Sequence, residues 1–68
     1  MKIGSRVKVT NISEKKKMNS YLPGCENYIA TVGKIGTVVY KNYVNTVAIV
    51  KFDNGKELPY NISEIEEV

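Results

Sequence analysis

A chain of 68 residues with a net charge of +3, 43% hydrophobic and 25% charged side chains, holds one small domain at most, spanning 1–68, and this composition argues against wholesale disorder. One cysteine and no histidine exclude an internal disulfide, the usual zinc and haem ligand sets, and any Ser-His or Cys-His nucleophile pair. No apolar run approaches the roughly 20 residues that span a bilayer, and Met1-Lys2-Ile3-Gly4 lacks the apolar stretch of a signal peptide, so the expectation is a cytoplasmic, non-enzymatic protein without metal, cofactor or membrane contact.

Gly4 to Ile12 alternates polar residues with Val7 and Val9, the period of a half-buried strand, and predicts strand one over 4–12. Ser13 to Val32 has no sustained period and carries Lys15-Lys16-Lys17 and the breaker Pro23-Gly24. It reads as a long loop, and a loop of this length inside a small domain points to function or mobility. From Gly33 a Gly-Lys-Ile-Gly turn leads into Val38, Val39 and Tyr40, strand two, which stops at Lys41-Asn42. Strand three is Val47 to Phe52, rich in β-branched residues. Asp53-Asn54-Gly55-Lys56 follows and predicts a hairpin with a type I′ turn, Asn54 and Gly55 both at positive φ. The chain then returns as strand four, Lys56 to Tyr60, with Pro59 confined to an end or an edge because it cannot donate to a ladder. Asn61-Ile62-Ser63 predicts one tight helical turn before a last strand, 64–68.

Short strands at close intervals without helical period point to an all-β fold, and at this length to a five-stranded small barrel. Alternation puts Ala48, Val50 and Phe52 on one face and Val38 with Tyr40 on another; Val7, Val9, Leu58, Ile62 and Ile65 complete the expected core.

The pattern Gly4-x-x-Val7-x-Val9, Gly33-x-x-Gly36-Thr37-Val38, Val50-x-Phe52-Asp53-Asn54-Gly55 and Ile62-Ser63-Glu64-Ile65-Glu66 resembles the SH3-like barrels of the KOW type. The layout is also similar to the small SH3-like accessory subunits of photosystem I and of ferredoxin-thioredoxin reductase. The resemblance implies an SH3-like barrel; the residues add a long loop over 13–32 between strands one and two and a short 3-10 turn before the last strand. The loop is longer than a KOW unit carries before its Gly-x-x-Gly, and with no Trp the aromatic cluster that holds proline-rich peptides is not recognisable.

Charge is uneven: residues 1–56 hold ten basic and three acidic side chains, and 57–68 hold four acidic and none basic. Lys15, Lys16, Lys17, Lys34 and Lys41, beside Tyr21, Tyr28 and Tyr43, form the candidate binding set. Lysines meet phosphates and tyrosines stack on bases, but the same lysines also serve as a solvated face that keeps a small domain soluble. Glu64 and Glu66 are expected on one solvent face of the last strand, Cys25 as an inert thiol, and Gly33 and Gly36 as turn and bulge positions. The leading expectation is a protein-binding accessory or regulatory module with a larger protein partner, docking through 13–32 and the aromatic strand ends. Abundant Lys, Asn, Ile and Tyr match A/T-rich codons, as in a low-GC bacterium or its phages, where modulation of a host protein is one form of such a role. The alternative is binding of RNA or DNA through the lysine and tyrosine surface.

Overall fold

The computed structural model describes residues 1–68. Five strands, β1 (Arg6–Val9), β2 (Ile35–Lys41), β3 (Val47–Phe52), β4 (Glu57–Asn61) and β5 (Ile65–Glu67), are joined by a short helix, α1 (Glu14–Asn19), and two 3-10 turns, η1 (Ile29–Thr31) and η2 (Ile62–Glu64). The strands make one antiparallel sheet of order β4-β3-β2-β1-β5. The sheet is barrel-like but not closed: β4 and β5 are its two edges, and η2 links them.

The core is built as the period-2 pattern dictates. Val7 and Val9 of β1, Val38 of β2, Ala48, Val50 and Phe52 of β3, Leu58 and Tyr60 of β4 and Ile65 of β5 are buried together with Ile12. Each fully buried valine contributes about 1.5–3 kcal/mol relative to exposure. Ile62 packs against this cluster from its margin. Tyr40 departs from expectation. A register shift between Val38 and Tyr40 sets Tyr40 opposite Ile49, and the extra residue returns the Tyr40 side chain to solvent. The bulge therefore lies there and not at Gly36, which sits in register between Val7 and Phe52. Gly36 serves close approach instead, because a Cβ at that position would lie 2.6 Å from Val50 Cγ1 and 2.8 Å from the Lys51 carbonyl oxygen.

The β3–β4 hairpin forms where predicted, with a different turn. Gly55 has φ +87° while Asn54 is not at positive φ. Gly55 N–H donates to Phe52 O and Phe52 N–H to Lys56 O, each at 2.9 Å, so Asp53 to Gly55 form a three-residue loop with glycine in the left-handed position. Asn54 Oδ1 accepts from Lys56 N–H at 2.9 Å, a local bond that holds Asn54 out of the conformation a type I′ turn needs. Pro59 lies within β4, an edge strand, the one setting in which its missing donor leaves no ladder bond broken.

Candidate functional site

The connection from β1 to β2 is longer than the fold requires, and α1 and η1 lie within it. Ser13 caps α1, its Oγ accepting from Lys16 N–H at 3.4 Å; Glu14 stands in the first turn and Lys16 and Lys17 in the last, matching the helix dipole. A helix this short is not stable by itself, and none of its residues is buried in the core. Its attachment runs through one carboxylate.

That carboxylate is Glu64, 3% exposed. It accepts from Ser13 N–H at 2.7 Å, Asn61 N–H at 2.6 Å and Lys16 Nζ at 2.5 Å. Asn61 and Glu64 also form a reciprocal capping box across η2. Lys16 Nζ stands over two rings, 5.2 Å from the centroid of Tyr28 and 4.9 Å from that of Tyr60, and those rings meet edge to face at 5.7 Å. Tyr60 OH donates to Thr31 Oγ1 at 2.7 Å. Burial pushes the Glu64 carboxyl up, but Lys16 and the Asn61 and Ser13 amides outweigh it and hold the group below the ordinary carboxylate value. Burial raises the Tyr60 phenol, partly offset by its bond with Thr31; burial and the nearby Glu26 and Glu64 carboxylates raise that of Tyr28.

The connection is also tied to itself. Ser20 Oγ donates to Lys16 O at 2.8 Å and accepts from the Tyr28 and Ile29 N–H groups at 2.9 and 3.3 Å. Beyond this tie the end of α1 projects Met18, Tyr21 and Leu22 at 69%, 79% and 53% exposure, with Lys15 and Lys17 exposed nearby. The result is an arm anchored by Glu64 and by the packing of Ile12 and Tyr28, with an apolar tip.

The candidate binding residues fall in separate places. Lys16 turns inward, its side chain 17% exposed and paired with Glu64, and Tyr28 is half-buried under it. Lys15 is exposed on α1, Lys17 pairs with Glu14 at 3.4 Å, and Tyr21 is at the tip. Lys34 lies just before β2, Lys41 Nζ donates to Met1 O at 2.6 Å, and Tyr43 stands exposed in the β2–β3 turn. Glu64 corrects the sequence expectation outright: η2 takes it out of the last strand, so it faces inward while Glu66 stays exposed opposite Lys8. The signal was present as Asn61-x-x-Glu64, a capping-box spacing. Met18 and Leu22 were missed because a short apolar spacing beside a lysine run does not read as a helix tip. Cys25 is exposed in the same connection.

An open groove of about 710 Å³ lies between the 26–35 segment and the β3–β4 hairpin, over Phe52 and Leu58. Its rim charges are largely paired, Lys56 with Glu26 at 3.0 Å and Arg6 with Asp53 at 3.7 Å, leaving Lys34 without an ion-pair partner.

The fold has counterparts among solved structures. The solution structure of PetP, a subunit of the cyanobacterial cytochrome b6f complex, matches with a TM-score of 0.71 and 21% identity, covering 100% of this chain and 80% of PetP. YorP of Bacillus subtilis, solved by NMR, matches with a TM-score of 0.62 and 17% identity, covering 100% of this chain and 69% of YorP. Both are small, and at these identities the likeness is one of fold. No protein-family model and no curated protein matches the sequence.

Proposed function

We propose that this chain is a small, non-enzymatic binding module of the SH3-like kind that docks on a larger protein through the tip of the β1–β2 connection. The observation that carries the reading is the exposed trio Met18, Tyr21 and Leu22, held out on an arm that is tied to the sheet elsewhere, through Glu64 and through Tyr28 packed on Tyr60. Large apolar side chains on a surface cost solubility unless they meet a partner, and aromatic and Met residues are enriched at protein interfaces. PetP, a subunit of the cytochrome b6f complex, is an instance of this fold working inside an assembly. The nucleic-acid alternative loses two of its contact groups, because Lys16 is committed to Glu64 and Tyr28 is half-buried beneath it.

The test is quantitative pull-down from lysate of the source cells, comparing wild type with a variant carrying Met18→Ser, Tyr21→Ser and Leu22→Ser. Loss of the wild-type partner in the folded variant is expected; equal recovery removes the tip from the site. A salt titration against RNA and DNA is the second arm. A steep fall in affinity with rising salt would favour the nucleic-acid reading.

A further inference from the structure

We propose that residues 13–32 form a strap that covers Tyr60 and opens from the sheet as one unit, latched by the Glu64–Lys16 pair and released by acid. The strap is self-contained. No residue from 13 to 32 is buried, and its backbone hydrogen bonds close within it or on Lys34 at its end. The Ser20 hydroxyl joins its two halves, donating to Lys16 O and accepting from the Tyr28 and Ile29 amides. A segment tied to itself in this way, with little buried apolar surface, opens as a body separate from the core.

Both ends are pinned just outside the strap. Thr10 and Asn11 N–H donate to Glu64 O at 2.9 and 3.4 Å, Ile12 is in the core, and Gly33 N–H donates to Val9 O at 2.7 Å. Gly33, at φ +90° with no atom within 4 Å of the place a Cβ would take, is a backbone position free to turn. Between the pins, the ties converge on residues 56–64. Glu64 receives Ser13 N–H and Lys16 Nζ, Tyr60 meets Tyr28 edge to face and bonds Thr31, and Lys56 pairs with Glu26. Beneath them Tyr60 is 1% exposed, its ring 6.1 Å from that of Phe52. Glu26, Ala30 and Thr31 of the strap also wall the groove over Phe52 and Leu58, so opening uncovers Tyr60 and removes one side of that groove.

Glu64 makes the latch responsive to charge. The groups that face it are Lys16 from α1, the Ser13 and Asn61 amides, and the Tyr28 and Tyr60 rings under Lys16; Glu26, whose charge acts on both phenols, is paired with Lys56. Protonation leaves the Lys16 ammonium without a counter-charge and turns one acceptor oxygen into a donor among donors. The folded carboxyl lies below the ordinary 4.5, so the latch is complete above that value and is lost as the pH falls through the folded pKa. Glu67, the other carboxyl held low, engages the N-terminal ammonium and Ser5 instead. The device needs no partner and stands or falls separately from the docking role of the tip.

The experiment is native-state hydrogen exchange followed by NMR in low urea. The Lys17, Ser20, Tyr28 and Thr31 amides should share one opening free energy, with a urea slope shallower than that of the Val9 and Val38 amides. Lys16→Met, which keeps the side-chain length, and Glu64→Gln should each lower protection at all four strap positions together, by about tenfold or more. From about pH 6 to about pH 3, with intrinsic exchange rates corrected, wild type should lose strap protection and shift its Tyr60 ring resonances, while strap protection in Glu64→Gln stays flat. Strap amides that are unprotected or share the sheet's slope would overturn the proposal. So would a loss confined to Lys17 and Ser20 with Tyr28 and Thr31 unmoved, or a full acid response retained in Glu64→Gln. The wild-type slopes and the wild-type acid response decide the matter even where a variant fails to fold.

Discussion

Glu64 joins two segments that lie far apart in the chain, since one carboxylate receives the Ser13 amide, the Lys16 ammonium and the Asn61 amide. Glu64→Gln strands the Lys16 charge above two aromatic rings and sets an NH2 group against one of the two backbone donors, so it should cost about 2–4 kcal/mol, read as a fall in the urea midpoint at unchanged slope. Its pH signature has a definite sign. The folded pKa lies below the ordinary 4.5, so the stabilisation is complete above that value and is lost as the pH falls through the folded pKa. Wild type should therefore weaken on acidification below about pH 4.5, and Glu64→Gln should show a shallower acid limb. Glu67, whose carboxyl is lowered by its hydrogen bond and ion pair with the N-terminal ammonium, shares in the limb that remains. Gly36 is the second sensitive position. Gly36→Ala forces a Cβ against Val50 and the Lys51 carbonyl, and an overpacking cost of about 1–3 kcal/mol is expected in the same denaturation experiment.

Among the elements, α1 is the most weakly founded, because it buries no residue and is fixed by caps and by Glu64. Ser13→Ala should cost about 1 kcal/mol, and hydrogen exchange should show where. Amides of residues 16–20 lose protection while those of β2 and β3 keep theirs. The strands were legible in the sequence because their alternation and the Asp53-Asn54-Gly55-Lys56 hairpin signal agree with each other. Burial follows that alternation at Val7, Val9, Ala48, Val50, Phe52 and Leu58. It failed at Tyr40, where a bulge changes the phase of β2, and no local signal marks a bulge between two β-branched valines and a tyrosine. The candidate site was legible only in part. The 13–32 segment stood out as unexplained by the fold, but α1 is too short to show a helical period, and the ion pair that orients Lys16 depends on a residue 48 positions away. Nor does sequence alone separate Lys16 from its neighbours Lys15 and Lys17, which stay exposed.

At the scale of the whole molecule, a radius of gyration of 11.3 Å leaves room for one core, and the surface must carry whatever the chain does. Four of the ten basic side chains are already engaged: Lys16, Lys17, Lys56 and Arg6 each stand against a carboxylate. The apolar tip is instead offered to solvent with no contact in the core. It follows that the variant carrying Met18→Ser, Tyr21→Ser and Leu22→Ser should unfold within about 0.5 kcal/mol of wild type, as exposed positions generally do, while binding is lost. The central claim is tested most directly by titrating the ¹⁵N-labelled chain with its captured and purified partner and following every backbone amide. Shifts concentrated at residues 18–22, absent in the tip variant, are the expected result; shifts confined to the sheet or the groove, with 18–22 unmoved, would contradict it.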